Sequence, residues 1–487
     1  MGTTNTSAKG GHYAARKRRN GAGGWVQVLL SLLLLADLFL LYTIIMQMTH
    51  LQKAFEASQT TNLILLGAFA VGAVILIYAV LRSKAWKRLL CISLACLIVY
   101  LVCCFSNIPF VKKYRDIWIS TAMSTMRHQG LATYYIPNGV VQELLDREKA
   151  ARDAQVGENT GDLTKEEQER EAWIRMISGG EDVEVTDENG KVEQLTPEQK
   201  TFYGLFYELD YASAEAWFRA HPQLLKNGYM KMLLDESGLH QEGTTIKTKL
   251  GERVLAIDAA NQVLIVEVDC DGSRGVLAIA KDPSRLKLCP SGGIGRYGET
   301  AGVIAQRNGG ILALTGSGFD DPNGVGNGGK IAGYAMCDGK EYHGDPFKWG
   351  YKRIELHEDN WFYITDTFKD VGKGTTDAME FTPALLINGK KLDPSGWTGQ
   401  NPRACIGQSK LGEILMLAVE GRRLDSPGCS VAICADVLLQ HDCITALNCD
   451  GGTTAMLWFR GSPVMRCSNS AIPDGRHLPN AWVYVGD

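Results

Sequence analysis

The segment Asn448-Cys449-Asp450-Gly451-Gly452-Thr453-Thr454 places a short carboxylate at the end of an apolar run and directly before two glycines. A carboxylate at a strand end can face a ligand while the chain behind it turns, so Asp450 is a candidate nucleophile or water-activating base. No side chain keeps an anion away from the amides of Gly451 and Gly452. Arg403, in Asn401-Pro402-Arg403, and Arg422, in Glu420-Gly421-Arg422, carry planar, permanently charged forks suited to two phosphate oxygens at once. Asn448, Thr453 and Thr454 are placed to orient hydroxyl or phosphate groups. Arg476 and His477, after Asp474-Gly475, are further binding candidates. Each has a plain competitor: Asp-Gly-Gly after a strand is commonly a tight turn, Glu420 reads as strand-end solvation, and His441 as a satisfied polar residue.

Two further glycine patterns, Gly293-Ile-Gly295-Arg-Tyr-Gly298 and Gly324-Val-Gly326-Asn-Gly-Gly329, match the dinucleotide fingerprint by spacing. Both lack its context. The first follows Cys289-Pro290-Ser291, and the second sits in a polar turn with neither a strand just before it nor a helix after it. Nine cysteines lie beyond residue 110, none in a C-x-x-C spacing, so no zinc site is expected. An odd number leaves at least one thiol free even if disulfides form. No motif names a cofactor.

The elements that must position these residues are short β-rich runs between glycine-rich turns: 253–256, 262–268, 275–280, 311–314, 361–365, 385–387, 414–419 and 482–485. Only 298–308 and 430–440 read as helices in this region. The expected class is α+β, a mixed sheet with few βαβ connections. Ahead of it, 141–200 is strongly acidic and reads as a solvated spacer. Thr164 and Glu167 form a capping box there, Asn189-Gly190 marks a hairpin turn, and Thr196-Pro197 opens a helix.

At 487 residues the chain is too long for one small core, and a net charge of -4 provides no basic field for nucleic acid. Three apolar stretches, 25–46, 63–81 and 89–105, are each near the length a helix needs to cross a bilayer, which makes membrane lipid a partner. The first lacks a small-x-small cleavage site and is read as retained. Asp37 inside it is a functional intramembrane carboxylate, or, as the absence of a basic residue in the other spans favours, a helix contact or a water defect. The expected domains are a cytoplasmic N-terminus with three spans (1–110), an acidic, partly helical linker region (111–240) and a main domain (241–487).

From about residue 240 to the end, five motifs occur in an order that resembles the phosphodiester glycosidase family: the strand 276–288, the turn 313–320, the segment 381–389, Asn401-Pro402-Arg403, and Asn448-Cys449-Asp450-Gly451-Gly452. Thr315, Ser317 and Gly318 stand where that family usually has Asn, Gly and Phe. The resemblance implies hydrolysis of a sugar-1-phosphodiester in an envelope or exopolysaccharide glycan, with Asp450, Arg403 and Asn448 catalytic. Gly451, Gly452, Thr453, Thr454, Arg422, Arg476, His477 and Asp320 would then bind substrate. The competing expectation is a non-catalytic phosphosugar-binding scaffold, which the altered Thr315 turn favours.

Positive charge sets the expected orientation. Arg16 to Arg19 precede the first span and Arg82, Lys84, Lys87 and Arg88 fill the loop before the third, clusters larger than Lys112, Lys113 and Arg115 beyond it. The chain after residue 110 is therefore predicted to face out of the cytoplasm. Protease added to intact cells should remove a C-terminal epitope; an epitope cut only after lysis would reverse the orientation.

Overall fold

The computed structural model describes residues 22–50, 56–125, 129–154, 185–186, 192–236, 243–345, 351–391 and 398–486. The basic cluster at 16–19, the Thr164 capping box and Asn189-Gly190 lie outside them. Two compact units divide the chain, Met1–Lys112 and Lys113–Asp487.

The first unit holds three helices, Ala22–His50, Glu56–Arg82 and Trp86–Phe105, each long and apolar enough to cross a membrane. Leu34 packs with Val80 and Ala85 among them. Asp37 faces the second helix, where a Cβ on Gly72 would lie 3.0 Å from its carboxylate, so Asp37 is a helix contact.

The second unit is built on a nine-stranded sheet whose order is Lys390–Lys391, Ala384–Ile387, Cys443–Asn448, Arg403–Ser409, Ile414–Val419, Arg274–Ala280, Val263–Asp269, Arg253–Asp258 and Leu233–Asp235. Two five-stranded sheets accompany it. One contains Gly310–Thr315, Leu457–Phe459 and Asn480–Val485; the other contains Lys352–His357 and Thr375–Phe381. Every strand ladder among the described residues is antiparallel, and parallel pairing is confined to the bridge between Ala332 and Asp345. The class is α+β.

Both faces of the large sheet are covered, which explains why its strands read as unbroken apolar runs. Along Ile414–Val419 the side chains alternate: Ile414, Met416 and Ala418 join the core shared with the smaller sheets, while Leu415, Leu417 and Val419 face a second core. That second core is closed by the helices Pro197–Leu205, Tyr211–Ala220 and Val431–Gln440 through Phe202, Phe206, Phe218 and Leu438. Thr196 and Gln199 form a capping box on the first of these. Residues 197–220, expected within the linker region, thus pack on the sheet because their aromatic side chains, not their charges, decide their place.

Truncating Leu417, fully buried in the second core, to Ala should lower stability by about 2–5 kcal/mol. Leu424→Ala, at a wholly exposed position, is the neutral control. Thermal unfolding of the detergent-solubilised chain reads both, and equal melting temperatures for the two variants would contradict this core.

Candidate functional site

In the large sheet Arg403 pairs with Val419, and Cys405 with Asn448. Because these ladders are antiparallel, the start of the central strand lies beside the ends of its two neighbours, and Pro402, Glu420–Arg422 and Cys449–Thr454 emerge together. The Cys449 amide donates to the Ala404 carbonyl at 2.7 Å and the Gly452 amide to the Pro402 carbonyl at 3.0 Å. From the other sheet, the Gly316 carbonyl accepts from the Asp450 amide at 3.0 Å. Gly316 is itself set by Asn480, whose Oδ1 accepts from the Ser317 amide at 2.8 Å and would meet any Cβ placed on Gly316 at 2.3 Å. The Thr315 hydroxyl donates to the Thr454 carbonyl and accepts from the Met456 amide, so it fastens the two turns together.

Asp450 is partly buried, and desolvation pushes its carboxyl up to about 6 against the opposing pull of Thr454, the Gly451 amide and the Arg476 charge. Arg476 is gripped by Asp321 through two bonds, Nη1 to Oδ2 at 2.7 Å and Nη2 to Oδ1 at 2.8 Å. Its guanidinium lies over the Phe319 ring, 4.8 Å from the centroid. Asp321 raises its basicity further. Asp320 faces outward instead and pairs with Lys330 at 3.5 Å. Successive side chains of an extended segment point to opposite sides, so Phe319 and Asp321 turn in where Asp320 turns out. Asp321 was one residue away from the sequence assignment, in the same polar turn.

Arg422 and Arg403 form the other half of the site. Arg422 sits at φ +60°, an uncommon conformation for a residue with a Cβ. Its Nη1 donates to the Thr453 hydroxyl at 3.4 Å and its Nη2 to Asn401 Oδ1 at 3.2 Å. Gly452 makes room: a Cβ there would lie 3.0 Å from Nη2. Desolvation and the nearby Arg403 charge both lower the Arg422 pKa, although the outer end of the residue is exposed. Arg403 donates from Nε to the Cys429 carbonyl at 3.1 Å and from Nη2 to the Gly399 carbonyl at 2.6 Å. Among the described residues neither arginine has an ion-pair partner. Glu420 corrects its expected reading: it is fully buried, held by Arg274 at 3.0 Å and by Arg466 at 2.6 Å, and it anchors the strand end rather than solvating it.

Residues 302–485 match the family model described as phosphodiester glycosidase. This is a phosphodiester glycosidase family domain. Among solved structures, the zebrafish N-acetylglucosamine-1-phosphodiester alpha-N-acetylglucosaminidase catalytic domain, auto-inhibited by its pro-peptide, is 18% identical with a TM-score of 0.38, covering 46% of this chain and 82% of that one. A hypothetical protein from Synechocystis is 13% identical, covers 49% and 65%, and has a TM-score of 0.34. A putative exported protein from Burkholderia pseudomallei is 12% identical, covers 62% and 85%, and has a TM-score of 0.33. No curated protein matches.

Several expected site residues of the phosphodiester glycosidase domain already have protein partners. Asn448 is buried, its Nδ2 donating to the Thr382 carbonyl at 2.8 Å and its Oδ1 accepting from the Cys405 thiol at 3.6 Å. The Gly451 amide donates to the Asp450 carboxylate at 2.9 Å. Thr454 is buried, its hydroxyl donating to the Gly451 carbonyl. Thr453 is shared between Arg422 and Ser468, whose hydroxyl lies 3.3 Å away. His477 is exposed, and its carbonyl crowds Gly328. The two glycine-rich patterns pack on each other, with the Gly295 amide donating to the Gly329 carbonyl at 2.8 Å and a Gly329 Cβ excluded 2.3 Å from the Tyr297 amide. His441 is a satisfied residue, 3.0 Å from Glu252.

Sequence reasoning missed Asn401, Ser468 and Asn480 as site residues because an amide or hydroxyl has no distinctive spacing; Asn401 beside Pro402-Arg403 was the available signal.

A raised carboxyl pKa means that the folded state holds its proton more tightly than the unfolded chain, whose Asp titrates at the ordinary 3.8. Stability then falls as pH rises from about 4 through about 6, and the burial of ionised Asp450 costs about 2–3 kcal/mol at neutral pH. Asp450→Asn should accordingly raise the melting temperature near pH 8 (about 2 units above that pKa), with the gain vanishing near pH 4. Destabilisation at both pH values would make Asp450 a turn residue.

Proposed function

We propose that this chain is a membrane-anchored phosphodiester glycosidase that hydrolyses sugar-1-phosphodiester linkages in cell-envelope or exopolysaccharide glycopolymers, with the catalytic domain outside the cytoplasm. The observation that carries the reading is a carboxylate of raised pKa on the same sheet end as two guanidiniums without a carboxylate partner among the described residues, within the family match. Breaking the bond from the anomeric carbon to the phosphate oxygen builds positive charge on the sugar and negative charge on the departing phosphate. A phosphate needs electrostatic holding more than protonation, and Arg403 and Arg422 supply it. Water's oxygen bonds to the anomeric carbon and the phosphomonoester leaves. Asp450 either takes the water's proton or attacks the carbon first; both roles require it ionised. Arg476, clamped by Asp321, holds the Asp450 side of the turn, and Thr453 lines the arginine side. Asn448 acts by positioning, since both its polar groups are occupied.

The three apolar helices support the membrane anchor, and the basic clusters at 16–19 and 82–88 support the outward orientation. The experiment is incubation of the detergent-solubilised full chain with a panel of sugar-1-phosphodiesters, scored for free sugar and phosphomonoester. Sugar release should require ionised Asp450, so kcat/KM falls below about pH 6, and Asp450→Asn should abolish release while calorimetric binding of the same ester persists. Binding without release by the parent across the panel would instead leave a phosphosugar-binding scaffold.

A further inference from the structure

Both site arginines are held by a single loop, and the outer side of that loop is held by a helix far away in sequence. Arg403 Nη2 donates to the Gly399 carbonyl at 2.6 Å, and Arg422 Nη2 donates to Asn401 Oδ1 at 3.2 Å. On the opposite side the Gln400 amide donates to the Thr121 hydroxyl at 3.0 Å, and Asn401 Nδ2 donates to the Ser124 hydroxyl at 2.9 Å. Thr121 lies in the helix Pro109–Met123, next in the chain after the three apolar helices, and Ser124 follows in the turn at its end.

The donor and acceptor order is consistent along the whole path. The Ser124 hydroxyl gives its proton to the Thr121 carbonyl at 2.9 Å, which leaves its lone pairs for the Asn401 amide nitrogen. With that nitrogen turned toward Ser124, the other end of the same planar amide, its oxygen, faces Arg422. Gly399 allows the approach: a Cβ there would lie 3.0 Å from Ser120 Oγ and 3.1 Å from the Thr121 amide nitrogen. The helix is itself fixed in a small core where Ile119 and Ala122 pack with Ala132, Val141 and Leu144, and Asp116 accepts from Arg147 at 2.6 Å.

We propose that Thr121 and Ser124 are positioning residues for phosphate recognition: through the loop 399–401 they set the guanidiniums of Arg403 and Arg422. The proposal rests on the reading of those arginines as phosphate-holding groups. It gives the helix after the apolar segment a part in substrate affinity through the loop it holds.

The test uses the full chain in detergent with Thr121→Val and Ser124→Ala, alone and together, and Ser124→Thr, which keeps the hydroxyl. Two readouts are taken: hydrogen exchange of the peptides covering 398–404 and 420–424, and calorimetric binding of inorganic phosphate alongside KM and kcat for the best ester. In Ser124→Ala, exchange should speed up in both peptides, with phosphate affinity and KM weakened about five-fold and kcat little changed, and Ser124→Thr should restore all of these. Unchanged exchange in the double variant overturns the positioning role, as does faster exchange with unaltered phosphate affinity. A parent chain that neither binds phosphate nor releases sugar removes the proposed function instead; the exchange comparison then decides by itself whether the helix holds the loop.

Discussion

In an antiparallel ladder a strand's beginning lies beside the endings of both its neighbours, and this constraint at Arg403–Ser409 is what the rest of the site depends on. It brings residues 402–403, 420–422 and 449–454 to one end of the sheet although they are widely spaced in the chain. The Gly316 carbonyl then ties Asp450 to the neighbouring five-stranded sheet. A one-residue slip of this central strand would exchange the side chains it sends into the two cores, so the packing that fixes the register also fixes the site.

Charge is distributed around that sheet end in a definite way. Glu420 is fully buried but neutralised by Arg274 and Arg466, and Arg476 is neutralised by Asp321. Arg403 and Arg422 have instead backbone carbonyls, an amide and a hydroxyl as partners, which orient a guanidinium without cancelling its charge. The positive charge is thus left on one side of the 450–454 turn and the desolvated carboxylate on the other.

The extra layer formed by residues 197–220 and 431–440 has a different part. It covers the second face of the large sheet, so the strands under the site are buried on both sides. The helix Pro109–Met123 reaches the site by another route, through hydrogen bonds to the loop 399–401 rather than through the sheet core. Two independent supports, one apolar and one polar, therefore bear on the same arginines.

Much of this was legible in the sequence wherever local pattern and physics coincide. The three apolar helices, the strands at 253–280 and 414–419, the helix Val431–Gln440 and the helix start at Thr196-Pro197 all follow from periodicity or from side-chain chemistry within a few residues. Asp450, Arg403 and Arg422 could be singled out because a carboxylate before two glycines and guanidiniums beside proline or glycine can face a ligand and act on a phosphate. Tertiary structure alone decided which neighbours they have. Whether Asp320 or Asp321 turns inward depends on strand phase, whether Glu420 is solvated depends on arginines 146 and 46 residues away, and Asn448 loses its freedom to Thr382 and Cys405. Hydrogen bonds and ion pairs between distant segments carry no periodicity, so a sequence supplies the chemical groups and only the folded chain determines which of them remain available.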